Sequence, residues 1–335
     1  MEPLLLFPLF IAFYIVYLVL PMWIKKAKKI NLVWEDMNTY EKSKVAGSGG
    51  LIVILGFILS VLFYIALKTF YFHNNGNVVK IFALTTTILM LAGIGIIDDL
   101  LGWQHGGLSK RFRIILCFFA AIPLMVINSG HAVVSVPFWG QVNFGLFYPL
   151  LLVPFGVVGA STTFNFLAGF NGLEASQGIL ILTALSGVAF LTGSSWISLI
   201  GLCMVFALIG FWIFNKYPAK VFPGDVLTYP IGGLIAIIAI FGDFERIALF
   251  FFIPYILEVV LKTRGGLRKQ SFGKPNKDNS LTLAHDKIYS LNHFTIWFLK
   301  KIKRKVYQKD VVRFIFTIQI IIIILGFIIF SSHIF

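Results

Sequence analysis

Two adjacent carboxylates stand at the end of a long apolar run, where charged side chains are unusual. The run begins near Ile81 and reaches Asp98 and Asp99 without a polar transition. Charged groups beside hydrocarbon are costly, so acidic residues in such a place are functional candidates. Successive helix residues point about 100° apart, so one carboxylate could hold a cation or proton while the other orients a neighbour. Capping of their own helix is the alternative, but an acid at a helix C-terminus opposes the helix dipole.

Two further polar stretches follow later apolar runs. In the first, Asn165 and Asn171 lie six residues apart among glycines, which would let a ligand approach the backbone. An ordinary Asn/Gly turn is an equally good explanation of this stretch. In the second, Asp225 follows Gly224 and opens the next apolar run, so it is either a helix N-cap or another acid of the same site.

The residue types at these positions favour one kind of chemistry. Carboxylate and amide oxygens are ligands for Mg²⁺, which keeps waters and substrate phosphates in its coordination shell. Nearby lysines suit the remaining phosphate charge, and no His/Cys cluster competes as a metal site. The set therefore predicts Mg²⁺, with Mn²⁺ as an alternative, and a phosphorylated substrate.

The composition places these residues in a membrane protein. Hydrophobic residues make up 58% of the 335 and charged residues only 13%, against roughly 25% in soluble domains. We expect an all-α, single-domain integral membrane protein over residues 1–335. The first apolar run lacks the features of a cleaved signal peptide and is expected to be a retained span. The two cysteines, Cys117 and Cys203, have no metal-ligand spacing and are expected to be buried.

About ten transmembrane helices are expected, because a span needs about 20 mostly apolar residues. The predicted spans are 4–24, 49–67, 81–99, 112–127, 146–164, 179–193, 196–214, 226–241, 246–262 and 312–333. Alternation about Trp139-Gly140 predicts a small outer β-hairpin from strands Val133–Pro137 and Gln141–Phe144.

The basic residues predict the orientation. Of the 28 Lys and Arg, 25 lie in or beside the connections after spans 1, 3, 5, 7 and 9. The positive-inside rule places these connections in the cytoplasm and both termini outside. The net charge of +14 then reflects topology and anionic inner-leaflet lipid, with no nucleic-acid partner. The longest connection, 262–311, contains a segment from Ile288 to Tyr307 that is expected to form an amphipathic helix on the inner membrane face.

At these residues the chain resembles the polyprenyl-phosphate N-acetylhexosamine-1-phosphate transferases, glycosyltransferase family 4. The closest resemblance is to the branch of eukaryotes and archaea that uses dolichyl phosphate. It extends over nearly the whole chain and rests on four features in order on one membrane face. These are Asp98-Asp99, Asn165-x5-Asn171-Gly172-Leu-Glu174-Ala, Val221-Phe222-x-Gly224-Asp225 and the long last inner connection.

The resemblance implies a role for each matching position. Asp225 and Asn165 would hold Mg²⁺ against the diphosphate of a UDP-sugar. Asn171 would contact uracil, with the ring of Phe222 stacked on it. The remaining candidates are Asp98, Asp99 and Lys110 beside the reacting phosphates, and Glu174, Glu35, Arg264, Arg268 and His285 for substrate binding. The last connection departs from the family, whose members carry Arg- or His-rich motifs there.

The implied reaction transfers an N-acetylhexosamine 1-phosphate, in this branch N-acetylglucosamine 1-phosphate, from a UDP-sugar to polyprenyl or dolichyl phosphate. UMP is released, and the reaction is the first membrane step of N-glycan-type assembly. The partners are therefore a UDP-N-acetylhexosamine and the lipid phosphate, with a homodimer left open. A transporter of a phosphorylated or anionic solute is the main alternative, but its charges should lie near the bilayer midplane. A scaffold subunit is the second alternative, and it would not need the Asn, Asp and Lys set.

Overall fold

Long apolar helices dominate the architecture. The computed structural model describes residues 3–136 and 140–334 of the chain. Its α-helices are α1 Phe7–Lys29, α2 Gly50–Ala66, α3 Val78–His105, α4 Lys110–Ala120, α5 Ile122–Val126, α6 Val153–Phe164, α7 Leu173–Leu191, α8 Ser195–Asn215, α9 Asp225–Gly242, α10 Glu245–Phe251, α11 Ile253–Arg264, α12 Leu291–Ile302, α13 Gln308–Ile329 and α14 Ser331–Ile334. The all-α membrane class predicted from composition is confirmed.

Seven helices in the described ranges are long and apolar enough to cross a membrane. They contain α1, α2, α3, α7, α8, α9 and α13. Three further predicted spans correspond to α4–α5, to α6 with the π-helical turn Tyr148–Leu152 before it, and to α10–α11. In each, the second helix carries a proline at its second residue, where the missing N–H is tolerated but an uninterrupted helix is disfavoured. The total of ten spans stays a prediction.

α9 lies at the centre of the bundle, packed between α3 and α6, because glycines allow close contact. A Cβ at Gly95 of α3 would lie 2.4 Å from the carbonyl oxygen of Asp225, and one at Gly232 of α9 would lie 2.3 Å from that of Ala160. Small residues permit such approaches between helices in membranes. The contact at Gly95 brings the C-terminal part of α3, including Asp98, to the beginning of α9.

In the part of the chain that the structure describes, three small antiparallel hairpins lie in the connections between helices. The hairpin predicted about Trp139-Gly140 is confirmed as β3 Val133–Val136 paired with β4 Gly140–Asn143. Its turn, including Trp139, lies outside the described residues, and its position on the outer side stays a prediction. The other two were not predicted from the sequence: β1 Val33–Glu35 with β2 Lys44–Ala46, and β5 Lys274–Pro275 with β6 Leu281–Thr282.

The first hairpin joins two connections of the same bundle end. Ala46 forms a parallel bridge with Val221, and its carbonyl accepts a hydrogen bond from the N–H of Phe222 at 2.8 Å. The connection before α9 is therefore held against the connection between α1 and α2.

The helix expected over 288–307 is shorter than predicted, since α12 spans Leu291–Ile302. Its protein-facing side is partly polar, with Asn292 and His293 buried beside Ile296, whereas Trp297 is exposed and lies under the ammonium of Lys301 at 3.8 Å. Its placement on the membrane surface stays a prediction.

Candidate active site

Asp99 caps a neighbouring helix. Its Oδ1 accepts a hydrogen bond from the backbone N–H of Asp225, the first residue of α9, at 2.7 Å, and its Oδ2 accepts one from the hydroxyl of Ser48 at 2.9 Å. Gly224 precedes α9 at φ 74°, and a Cβ there would lie 2.2 Å from Asp99 Oδ2. The N-cap explanation of Asp225 is therefore wrong, because the carboxylate that satisfies this helix end comes from α3.

Asp98 is the centre of a buried polar network. Its side chain is 3% exposed and forms an ion pair with Arg113 of α4, Nη2 to Oδ2, at 2.7 Å. The hydroxyl of Tyr229 lies 3.0 Å from the same carboxylate, and the N–H of Leu108 donates to Oδ1 at 2.8 Å. The guanidinium of Arg113 also lies over the ring of Tyr229, 5.9 Å from its centroid.

The side chains of Asp225 and Asn165 are in contact, as the predicted shared metal site requires. The amide nitrogen of Asn165 donates to Asp225 Oδ1 at 2.9 Å, which leaves the amide oxygen available as a ligand. Tyr229, one helical turn after Asp225, has its hydroxyl 3.1 Å from Oδ2. The hydroxyl of Tyr229 thus lies between the carboxylates of Asp98 and Asp225 and joins them into one network, although its single proton is donated to only one of them at a time.

Two adjoining cavities open at this network. The larger, of about 580 Å³, is lined by Asp98, Asp99, Asp225 and Asn165 and by aromatic residues that include Trp34 and Phe222. The smaller, of about 370 Å³, is lined by Lys110, Arg113 and Lys262 together with apolar residues that include Ile114, Phe166 and Leu267. Arg113, Asn165, Gly169 and Phe272 belong to both linings, so the two spaces share a wall. One cavity is rich in carboxylates and the other in cations.

Other predicted residues lie around the larger cavity. Phe222, Glu174 and Glu35 line it, and Glu174 also accepts a hydrogen bond from the N–H of Gly169 at 2.8 Å. Asn171 is buried beside it, and its amide donates to Asp36 Oδ2 at 3.0 Å. Their roles toward a nucleotide-sugar stay predictions.

The predicted basic residues divide into two groups. Lys110 lines the smaller cavity, and its ammonium donates to the carbonyl of Leu267 at 2.7 Å. Arg264 and Arg268 are exposed and line neither cavity. His285 also lies outside both linings and packs against the rings of Tyr289 and His293.

Arg113 and Tyr229 of this network, and Asp36 of the larger cavity, were not predicted from the sequence. Arg113 lies one helical turn after Lys110, and an arginine within an apolar run is a signal that could have identified it. Tyr229 lies one turn after Asp225 and has no such signal, because tyrosine is common in apolar helices. Asp36 adjoins the predicted Glu35, and only the fold shows that the second of these two acids contacts Asn171.

The donor set fits a divalent cation held jointly with a substrate. Within the described ranges, no three His, Cys, Asp or Glu side chains are grouped as an all-protein metal site. Mg²⁺ commonly uses one or two carboxylates with substrate phosphates and waters, which Asp225 and Asn165 would match. The site holds three carboxylates, those of Asp98, Asp99 and Asp225. Among the described residues, Arg113 is the cation that lies within ion-pair distance of them. This excess of carboxylates over cations favours a bound cation.

The apolar helical bundle carries charged cavities at one end of its spans, and its similarity to known proteins assigns it to a class. The model of glycosyl transferase family 4 matches residues 81–243. A Saccharolobus solfataricus protein, named as a UDP-N-acetylglucosamine–dolichyl-phosphate N-acetylglucosaminephosphotransferase, is 36% identical over 87% of this chain and 87% of its own. The chain belongs to glycosyl transferase family 4 and is a multi-pass membrane transferase.

More distant relatives carry related names. A Dictyostelium discoideum protein with the name of a UDP-N-acetylglucosamine–dolichyl-phosphate N-acetylglucosaminephosphotransferase is 27% identical over 72% of this chain and 67% of its own. A Streptococcus pneumoniae phospho-N-acetylmuramoyl-pentapeptide-transferase is 30% identical over 74% of this chain and 76% of its own. These similarities confirm the family predicted from the motifs.

Proposed function

We propose that this protein transfers N-acetylglucosamine 1-phosphate from UDP-N-acetylglucosamine to dolichyl phosphate and releases UMP. The observation that carries the proposal is the shared wall between a carboxylate-lined cavity and a cationic, partly apolar one. Two phosphorylated substrates, one soluble and one lipidic, can meet across such a wall. The names of the relatives in both archaea and Dictyostelium support the same pair of substrates.

The larger cavity suits the UDP-sugar. Its carboxylates lie where a Mg²⁺ ion, or Mn²⁺, would neutralise the diphosphate, with Asp225 and the amide oxygen of Asn165 as its protein ligands. Its aromatic residues, among them Phe222, offer faces on which a planar base can stack. The metal would supply charge neutralisation at the diphosphate, and Asp99 would hold Asp225 in place through the backbone of α9.

The smaller cavity suits the lipid phosphate. Lys110, Arg113 and Lys262 provide positive charge, and Ile114, Phe166 and Leu267 provide apolar surface for the adjoining isoprene units. In the reaction an oxygen of the lipid phosphate bonds to the β-phosphorus in line, the bond to the bridging oxygen breaks, and UMP leaves. A phosphate monoester is already largely ionised at neutral pH, so alignment and charge neutralisation are the main tasks of the protein.

The position of the site argues against a transporter. Transporter sites lie near the bilayer midplane on broken helices, whereas Asp98 and Asp99 lie in the last two turns of α3 and Asp225 begins α9. Together with the distribution of basic residues, this supports an active site that faces the cytoplasm.

The test is UMP release by the purified full-length protein in lipid nanodiscs with UDP-N-acetylglucosamine and dolichyl phosphate. We expect release only when both substrates and Mg²⁺ or Mn²⁺ are present, with a matching amount of lipid-linked sugar diphosphate. Omission of the lipid phosphate and addition of EDTA are the controls. The proposal would be contradicted if folded protein, identified by a cooperative melting transition, released no UMP with any UDP-N-acetylhexosamine tried.

A further inference from the structure

The tip of the first hairpin contacts two distant connections at the cavity end of the bundle. Asp36 accepts hydrogen bonds from the N–H of Asn38 and the amide of Asn171, both at 3.0 Å. The backbone N–H of Tyr40 donates to the side-chain oxygen of Asn279 at 2.8 Å. This tip, residues 36–43, therefore joins the connection before α7 to the long connection before α12.

Asn38 makes the most central of these contacts. Its side chain is 1% exposed. The amide nitrogen donates to the carbonyl of Gly169 at 2.6 Å, and the amide oxygen accepts from the N–H of Gly273 at 3.0 Å. Because one partner is only an acceptor and the other only a donor, the orientation of this amide is determined by its surroundings.

One partner of Asn38, Gly169, belongs to the wall between the cavities, and the other, Gly273, directly follows Phe272 of the same wall. Gly169 and Phe272 line both spaces. They are in direct contact, because a Cβ built on Gly169, whose φ is 96°, would lie 2.6 Å from the ring of Phe272. One side of the wall thus comes from the connection before α7 and the other from the connection before α12, and one buried amide holds both.

We propose that Asn38 is a positioning residue that sets the geometry of this wall, and thereby the alignment of the two phosphorylated substrates. Asn38 lines neither cavity, so it acts through Gly169 and through Gly273, the neighbour of Phe272, and not by contact with a substrate. The inference rests on the proposed function, because alignment matters only where both cavities are filled during transfer. Misplacement by about 1 Å can cost on the order of 100-fold in rate.

The expected kinetic result is a separation of kcat from KM. Asn38→Ala should lower kcat by about 10- to 100-fold and change each KM by less than about threefold, because the two substrate cavities keep their own linings. Asn279→Gly is the matched control, since it removes a hydrogen bond between the hairpin tip and the connection before α12, tolerates the φ of 60° at this position and lies outside both cavity linings. It should leave kcat unchanged.

Hydrogen exchange tests the contact independently of turnover. In Asn38→Ala, peptides that contain residues 169 and 273 should exchange faster. In Asn38→Asp, which keeps an acceptor for the N–H of Gly273 but places a second acceptor against the carbonyl of Gly169, the faster exchange should be confined to the connection around residue 169.

Four outcomes would overturn the inference. They are unchanged exchange in Asn38→Ala, unchanged kcat in the same variant, an equal kinetic loss in Asn279→Gly, and a loss confined to KM for one substrate. If the wild-type protein released no UMP, the proposed function would fail by itself, and the exchange measurements would still decide whether Asn38 holds the wall.

Discussion

Arg113 offers the sharpest test of the buried network. Its ion pair with Asp98 at 2.7 Å joins a side chain that is 25% exposed to one that is 3% exposed. In Arg113→Met, which keeps most of the length and loses the charge, Asp98 would retain only the hydrogen bonds from Tyr229 and Leu108. Removing one partner of a fully buried pair costs about 3–5 kcal/mol, and the partial exposure of Arg113 favours the lower end, about 3 kcal/mol.

If that energy is lost from the transition state, it corresponds to a decrease of about 100-fold in kcat/KM, since about 1.4 kcal/mol is a factor of ten in rate. We therefore expect Arg113→Met to lower kcat/KM for the lipid phosphate by about 100-fold, because Arg113 lines both cavities. Arg113→Lys keeps the charge but loses the planar fork, and should lose about tenfold. The assay is UMP release at varied dolichyl phosphate, with the melting temperature in detergent measured in parallel.

Arg111→Met is the matched control, because Arg111 is an exposed residue of the same helix that lines neither cavity. It should keep activity within about twofold, as surface substitutions usually have small effects. Activity of Arg113→Met within about threefold of wild type, together with an unchanged melting temperature, would refute the reasoning, because the buried carboxylate would then not depend on this cation.

Three further substitutions probe the same end of the bundle. Asp225→Asn should abolish detectable turnover at an unchanged melting temperature, whereas Asp243→Asn, just beyond the other end of α9, should stay active; near-wild-type activity of the first would remove Asp225 from the site. Asp99→Ala should destabilise the protein by about 1–2 kcal/mol, because α9 loses its cap, and an unchanged unfolding midpoint in denaturant would contradict this. Burial lowers the pKa of His293 below its ordinary value of about 6.5, so the unfolded chain binds a proton that the folded one resists, and stability should fall as pH drops from 7 to 5. A melting temperature that falls equally in His293→Gln would exclude His293 as the cause.

Much of the fold could be predicted because it follows from local properties of the chain. Uninterrupted apolar runs made the bounds of α2, α8 and α9 predictable to within about one residue, and those of α1, α3 and α13 to within about six. The two small hairpins of the polar connections were missed because strands of two or three residues carry too little periodic signal. The prolines that divide α4 from α5 and α10 from α11 are visible in the sequence. Hydropathy over a whole span does not show that they interrupt its helix.

The candidate site was predictable only in part. Asp98, Asp99 and Asp225 stand out because acids at the ends of apolar runs are costly and therefore conspicuous. Other contacts join residues more than 100 positions apart in the chain. They are the hydrogen bond of Tyr229 to Asp98 and those of Asn38 to Gly169 and Gly273. Such pairs leave no local pattern in a single sequence.

The sequence alone thus determined that the chain is a multi-pass helical membrane protein, which family it resembles, and that acids, amides and lysines at span ends are its candidate site. Hydropathy and short motifs are properties of neighbouring residues, so they can be read without the fold. Only the tertiary structure decided that Asp99 caps α9, that Arg113 pairs with Asp98, and that two cavities share a wall at Gly169 and Phe272. Those facts depend on which helices and connections pack together, and packing is decided by the whole chain.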